Sequence, residues 1–298
     1  MHSAMANAPQ TDDDWRIHAI NIHGMFFERW CQHVVTKAAG WRLDSTNYPV
    51  EFPPPNGPFR GKEGSLDIRA SKVIGDRVVS LIIECKKNNP EFIDWLFFKQ
   101  PSRRGPQLSF YQIEKRVEGA GGESWTIAPS IQTVQSPFDV ADEGRETRGD
   151  YSAQKELTKT KTSNVAIQDA ARQVSLARQA IVTEDHGIFK RPGTKVPWTI
   201  RHYFPVIVTT ARLFMCDFDP QQVAPDTGVI PLDKVSMTEC SRLVYEYPLP
   251  RPLQSTPADE TYGYNEGRLD AFTRLHIFVV QSEHFPMFLD TFPDKVGL

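Results

Sequence analysis

The sequence predicts an α/β protein built around one mixed sheet, and three observations support this prediction. An amphipathic helical pattern precedes two β-rich runs that are joined by a two-residue Gly75-Asp76 turn. A second amphipathic helix begins near Asn164, and a continuous apolar, β-branched run over 203–218 follows it. Helical and strand patterns that alternate in this order are typical of a sheet flanked by helices.

Composition is that of a globular chain with a sizeable core. Of 298 residues, 40% are apolar and 24% are charged, which is ordinary for a folded domain. We predict a disordered, polar tail over 1–14 and a single domain over 15–298. The net charge of −3 excludes a polycation, yet the segment from 69 to 104 has eight Lys and Arg against four Asp and Glu. A locally basic surface of this kind is compatible with a nucleic-acid enzyme.

Cysteine spacing and the N-terminus predict a cytoplasmic protein. The four cysteines show no C-x-x-C pair, which argues against a zinc site and against a disulfide scaffold. The N-terminal residues are polar and acidic, unlike a signal peptide. No apolar run approaches the ~18 residues of a membrane span, so we expect no membrane partner.

The remaining elements follow from apolar periodicity and from Gly and Pro positions. The chain predicts an insertion at about 99–162 that holds one short hairpin. The other predicted elements are a helix over 15–39 interrupted at Gly24, an extended stretch over 41–52, a hairpin over 65–87, a short helix over 90–98, strands over 242–249 and 274–281, and a terminal helix over 282–292.

The hairpin turn fixes which residues face one another. Gly at the first of two central positions suits a type II′ turn, so cross-strand partners have numbers that sum to 151. Asp67 then lies opposite Glu84, and Lys86 shares their face because side chains alternate along a strand. The opposite face, with Ile68 and Ile83, is apolar and should pack on the core.

Two carboxylates and a lysine in this arrangement predict metal-assisted chemistry. Directly paired residues have Cβ atoms about 5 Å apart, so Asp67 and Glu84 repel each other unless a cation lies between them. A hard divalent cation binds oxygen ligands, and the backbone carbonyl of Cys85 can add another. Lys86 can orient an attacking water and stabilise charge on a phosphate. The set therefore suits hydrolysis of a phosphodiester.

These residues resemble a known motif. Asp67, sixteen intervening residues and Glu84-Cys85-Lys86 are similar to the signature of the PD-(D/E)xK nuclease superfamily, which has the restriction-endonuclease-like fold. The resemblance implies an αβββαβ core and cleavage of nucleic acid with Mg²⁺ or Mn²⁺. It implies that Asp67 and Glu84 are metal ligands and that Lys86 is the catalytic lysine. Glu28 on the first helix is the candidate for the further glutamate that many members carry to the metal. Leu66 stands where the motif has Pro, and the match covers roughly half of the chain.

Further residues are candidates for support and for substrate contact. From the helix that begins near Asn164, Gln168, Arg172 or Gln173 can face the site, and Gln107 with Tyr111 is a second possibility. Phosphates attract Lys and Arg without regard to sequence, so the candidates for DNA backbone contacts are Lys87, Arg103 and Arg104. The alternative for the central trio is a surface ion-pair cluster, which contributes little stability.

The sequence therefore predicts a divalent-metal-dependent deoxyribonuclease, and more narrowly an endonuclease in restriction, antiviral defence or repair. Its expected partner is DNA, and a homodimer is expected if it cuts both strands. One alternative is a catalytically inactive nuclease-like module for DNA binding or assembly, against which the intact trio of Asp67, Glu84 and Lys86 counts. Another is an RNA-directed nuclease, because the motif does not distinguish the two sugars.

Overall fold

The computed structural model describes residues 16–17, 24–50, 64–88, 93–100, 107–118, 122–133, 139–147, 165–250 and 273–296. The predicted tail over 1–14 lies outside these ranges. Within them the protein is α/β, with three long helices and a mixed sheet of twelve strands. None of the described helices has the length and apolar character needed to cross a membrane.

The long helices are α1 (Met25–Lys37), α2 (Val165–Phe189) and α3 (Phe285–Lys295). The strands are β1 (Trp41–Val50), β2 (Gly64–Ile74), β3 (Arg77–Lys86), β4 (Asp94–Lys99), β5 (Gln107–Glu118), β6 (Gly122–Thr133), β7 (Val140–Thr147), β8 (Ile200–Thr209), β9 (Arg212–Phe218), β10 (Val235–Cys240), β11 (Arg242–Pro248) and β12 (Arg274–Gln281).

The sheet has the strand order β1-β2-β3-β8-β12-β11-β7-β4-β9-β10, and β5 with β6 branches from β8. β3 pairs with β8 in parallel along its whole length. On its other edge β8 pairs with β5 through residues 200–203 and with β12 through residues 206–209. Pro205, which has no N–H to give to a ladder, lies in the gap between these two partners. Two strands, β5 and β12, therefore pair with successive parts of the same edge of β8.

Both faces of the central strands of the sheet are buried. One apolar cluster joins α2 to residues such as Ile82 and Ile207. The other joins α1 and α3 to residues such as Leu81 and Phe204. Strands covered on both faces are continuously apolar rather than alternating, which explains the β-branched run of β8. The prediction that one hairpin face packs on the core is confirmed for Ile68 and Ile83, but the opposite face is also covered.

Three predicted elements differ from the structure. The short helix over 90–98 is wrong, because β4 occupies Asp94–Lys99 and is hydrogen-bonded between β7 and β9. The run over 203–218 is two strands, β8 and β9, rather than one. The described part of the segment over 99–162 holds three strands, β5, β6 and β7, all of which belong to the sheet, instead of one short hairpin. In each case long-range pairing, which the local pattern does not contain, decides the structure.

The register of the β2–β3 hairpin agrees with the prediction. Its pairs run from Ile74 with Arg77 to Ile68 with Ile83, so partner numbers sum to 151 throughout. Gly75 has a φ of 59°, as the first central residue of a type II′ turn requires. Asp67 and Glu84 are the next two residues beyond the last pair.

Replacing glycine by alanine should change the free energy of unfolding in opposite directions at the turn and in α2. Gly75→Ala should destabilise the protein by about 1 kcal/mol, because an added Cβ is strained at positive φ. The added Cβ meets no atom within 4 Å, so crowding does not contribute. Gly187→Ala in α2 also meets nothing within 4 Å and should stabilise by ~0.5–1 kcal/mol. Urea unfolding of both variants measures the difference, and a destabilised Gly187→Ala would contradict the backbone argument.

Candidate functional site

The site lies where the β2–β3 ladder ends. The last paired residues are Ile68 and Ile83. One residue further, the carboxylate of Asp67 accepts a hydrogen bond from the backbone N–H of Cys85 at 2.7 Å. This side chain replaces the backbone acceptor that a continued ladder would supply. The two strands therefore separate at the point where the acidic residues stand.

The Asp67 and Glu84 carboxyl groups are both buried, with only 8% and 3% of each residue exposed. Burial, followed by the charge of Glu84, raises the pKa of Asp67 to about 7. Burial also raises the pKa of Glu84. Among the described residues, Glu84 Oε2 is buried without a hydrogen-bond partner. The pair is thus desolvated and mutually repulsive, and it has one free oxygen.

Lys86 is held between this pair and the long helix α2. Its Nζ lies 2.9 Å from Glu84 Oε1 and donates a hydrogen bond to Gln173 Oε1 at 2.7 Å. The lysine lowers the pKa of Glu84 and so opposes the effect of burial. A quarter of its side chain remains exposed. The ammonium is therefore fixed in position and still accessible to a substrate.

A buried ion network anchors α2 and so positions Gln173. Asp185 accepts hydrogen bonds from Arg69 on β2 and from the Tyr203 hydroxyl on β8. Arg201 lies 3.5 Å from both Asp185 and Asp44. Since buried ions are stable only when they are paired, the network fixes the helix against the sheet. Its sequence signal was an acid on the buried face of α2, which helical periodicity alone could have shown.

Glu28 approaches the site from the opposite face of the sheet. It lies in the first turn of α1, and its charge contributes to the raised pKa of both Asp67 and Glu84. Behind it, a hydrogen bond with Cys31, together with burial, raises the pKa of the Cys85 thiol well above its ordinary value. The contact between these two buried thiols joins α1 to β3. The Glu28 side chain is nevertheless not grouped with Asp67 and Glu84 closely enough to complete a set of three metal-binding side chains.

The backbone of Cys85 is directed toward Asp67. In an antiparallel pair, the N–H and C=O of one residue point to the same neighbouring strand. Since the Cys85 N–H donates to Asp67 on β2, its carbonyl faces the same side. On the other edge, the Lys86 carbonyl accepts from the Thr210 N–H. These directions are compatible with the predicted carbonyl ligand, which stays a prediction.

The other candidates are placed differently. Arg172 pairs with Asp169 of its own helix at 3.4 Å, and Gln168 donates to the Tyr245 hydroxyl. Tyr111 is buried beneath the guanidinium of Arg178. Other candidates are Lys87, which is exposed directly after β3, and Arg103 and Arg104, which lie outside the described residues. Of the predicted supporting residues, the structure brings Gln173 to Lys86.

The donors at the site suit a hard divalent cation. The candidates are the Asp67 and Glu84 carboxylates and the Cys85 carbonyl, all of them oxygen donors. The unpaired Glu84 Oε2 and the raised pKa values of both acids show that the Lys86 ammonium compensates the two carboxylates only in part. In the described part of the chain, no three or more His, Cys, Asp and Glu side chains are grouped closely enough to hold a metal. The fit thus depends on two side chains and a backbone oxygen.

The hydrogen bond from Cys85 N–H to Asp67 was not foreseen from the sequence. Its signal is present all the same, because an acid placed one residue beyond the last ladder pair faces an unpaired backbone donor.

Comparisons with family models, with curated proteins and with solved structures found no match to the chain.

Proposed function

We propose that the protein is a divalent-metal-dependent nuclease that hydrolyses phosphodiester bonds in DNA. The observation that supports this most is the juxtaposition of two buried carboxylates, Asp67 and Glu84, with the fixed ammonium of Lys86. Burying a repulsive acid pair costs stability. A ligand that supplies positive charge is the simplest reason for a protein to keep such a pair.

In this proposal Asp67, Glu84 and the Cys85 carbonyl would hold Mg²⁺ or Mn²⁺. Glu28 stays a proposed further oxygen donor that would have to approach the two acids when the metal binds, since the three side chains are not grouped as a metal site. A bound divalent ion supplies Lewis-acid polarisation of the phosphate and lowers the pKa of its bound water. Lys86 stabilises the charge that develops on the phosphate oxygens. Gln173 keeps the ammonium in place, since its Oε1 accepts from Lys86 Nζ. The exposed quarter of the Lys86 side chain is where a substrate would reach the site.

Assignment to the PD-(D/E)xK superfamily belongs to the same proposal. The order α1, β1, β2, β3, then α2 and β8 fits the αβββαβ core that the motif implies, with β4 to β7 inserted before α2. β8 pairs in parallel with β3 and α2 supplies Gln173. A restriction-endonuclease-like core within the larger mixed sheet is the arrangement that these elements support.

DNA is the proposed substrate, cut internally in restriction, antiviral defence or repair. Exposed Lys87 beside the site is suited to a backbone phosphate, and Arg103 and Arg104 remain proposed contacts. A homodimer is proposed for cutting both strands.

A catalytically inactive DNA-binding or assembly module is the second candidate. The observation that favours it is the ion pair of Lys86 with Glu84 at 2.9 Å, which partly neutralises the site without a metal. Calorimetric titration with Mn²⁺ separates the two candidates. Metal binding that Glu84→Gln abolishes supports the enzyme, whereas DNA affinity without metal binding supports the module.

The enzyme proposal is tested by digestion of supercoiled plasmid with Mg²⁺, with Mn²⁺ and with EDTA. We expect cutting with either metal and none with EDTA. Glu84→Gln should abolish cutting, because it removes a charged ligand while keeping the size of the side chain. The matched control is Glu239→Gln, since Glu239 is exposed on β10. This control should cut like the parent protein.

Matched DNA and RNA strands of one sequence distinguish the two possible substrates. Faster cutting of RNA would contradict DNA as the substrate. Equal cutting by the parent protein and Glu84→Gln would contradict the site itself.

A further inference from the structure

The outward face of α1 is aromatic and cationic. Phe26 and Trp30 are 47% and 39% exposed, and Arg29, His33 and Lys37 are exposed beside them. Positions 26, 30, 33 and 37 have the spacing of one helical stripe. The five residues Phe26, Arg29, Trp30, His33 and Lys37 are called the α1 stripe below. The helix contains one acidic residue, Glu28, which the helical period places on the side opposite the stripe.

The stripe is rigidly supported. The opposite face of α1 packs into the core through Cys31 and Val35, both of which are fully buried. The Trp30 ring stacks against Phe27 with ring centroids 5.9 Å apart and planes 11° apart. The indole is therefore braced on one side although it is substantially exposed. Exposed large apolar groups on a fixed element mark interaction sites.

We propose that the α1 stripe binds unpaired nucleotides of the nucleic-acid substrate. Bases stack on Trp30 and Phe26, and Arg29 and Lys37 neutralise the neighbouring phosphates, as on other single-strand platforms. This inference rests on the proposed nuclease function and adds to it the class of substrate, a strand with unpaired bases beside the cleaved bond.

Charge favours this occupant over a second copy of the chain. A two-fold contact through the stripe brings the same surface from both copies together, so Arg29 and Lys37 of one copy would face Arg29 and Lys37 of the other. Like charges in an interface are costly. A polyanion instead satisfies the cationic and the aromatic side chains together.

The stripe lies within reach of the candidate site. Glu28 is in the first turn of the same helix and acts electrostatically on Asp67 and Glu84. The stripe lies across the helix, about 10 Å away, and extends for ~16 Å along the axis. A strand that passes the carboxylates can therefore reach Trp30 within a few nucleotides.

The test measures binding separately from cutting. In the Glu84→Gln background with EDTA, fluorescence anisotropy follows a labelled oligothymidine strand and the same strand with abasic spacers. We expect Trp30→Ala to weaken binding of oligothymidine about 5- to 150-fold, the range for loss of one stacked base. The same substitution should not weaken binding of the abasic strand further, because no base remains to stack. Met287→Ala, an exposed apolar residue on α3, is the control and should bind like its parent.

Arg29→Gln tests the phosphate contacts without removing an apolar side chain. It should weaken both strands and reduce the slope of log affinity against log salt by about 0.7, as expected for one phosphate contact to a single strand. Phe26→Ala repeats the stacking test in case Trp30→Ala disturbs the fold, which circular dichroism would show. If Trp30→Ala and Phe26→Ala both bind oligothymidine as tightly as the parent protein, the proposal is overturned.

Two further outcomes also overturn it. One is a loss of dimer in sedimentation velocity with strand binding unchanged, which assigns the stripe to a second copy. The other is a loss of binding to phosphatidylserine vesicles alone, which assigns it to a lipid surface. Failure of the proposed function looks different: the parent protein would cut no substrate, while Trp30→Ala would still weaken strand binding.

Discussion

Lys86→Ala should reduce metal-dependent cleavage of DNA about 100- to 1,000-fold. Removing one preorganised group that stabilises developing charge costs this much in comparable sites. The structure shows the preorganisation, since Glu84 and Gln173 hold the ammonium from two sides. Initial rates on plasmid at saturating Mn²⁺ measure the effect.

The same substitution should also shift the pH dependence of metal binding. Lys86 lowers the pKa of Glu84, which burial raises. Without the lysine, Glu84 stays protonated to higher pH, so Mn²⁺ binding should require more alkaline solution. A loss of cleavage with an unshifted pH profile of metal binding would separate these two roles of the lysine.

Lys190→Ala is the matched control for the lysine, because Lys190 is exposed at the end of α2. It should cut at the parent rate. Gln173→Ala should cut at a rate between those of Lys190→Ala and Lys86→Ala, about tenfold below the parent. It leaves the Lys86 ammonium in the site but no longer holds it in position. Cleavage by Lys86→Ala within threefold of the parent would exclude the lysine from the reaction.

The local chemistry of the chain was sufficient to predict the centre of this site. A glycine at position 75, whose φ is positive, fixes the turn, and the alternation of side chains then determines the faces of Asp67, Glu84 and Lys86. Helical periodicity left Gln168, Arg172 and Gln173 as alternatives, of which the structure brings Gln173 to Lys86. These inferences need only neighbours in sequence or a two-residue turn, which is why they could be made.

Long-range pairing could not be predicted in the same way. The residues of β4 are aromatic and suit either a buried helix or a central strand, and only their partners β7 and β9 decide between the two. The branch of β8 between β5 and β12 has no local signal apart from Pro205. The Asp185 network depends on Arg69 and Arg201, which two different strands bring to one helix.

Asp67→Asn should make the metal-free protein more stable at neutral pH. Burial and the charge of Glu84 raise the pKa of Asp67 from 3.8 to about 7. The folded state therefore binds more protons than the unfolded chain between these pH values, and stability falls as pH rises through this window. Three pKa units at ~1.4 kcal/mol each set an upper limit near 4 kcal/mol. A gain of about 2 kcal/mol at pH 8, equal to several degrees in Tm, is expected.

Mn²⁺ should reverse the order of stability. A ligand present at 100 times its Kd stabilises the protein that binds it by about 2.7 kcal/mol, and only the parent retains both acids. Thermal melts from pH 4 to pH 8, with EDTA and with Mn²⁺, measure both effects. The gain in EDTA should shrink as the pH falls toward 3.8, the ordinary pKa of the group, because Asp67 then becomes protonated in the unfolded chain as well. Asp226→Asn, at an exposed loop carboxylate, should change neither melt. If Asp67→Asn is instead less stable than the parent in EDTA at pH 8, Asp67 is a structural ion-pair residue, and the metal site must be sought elsewhere.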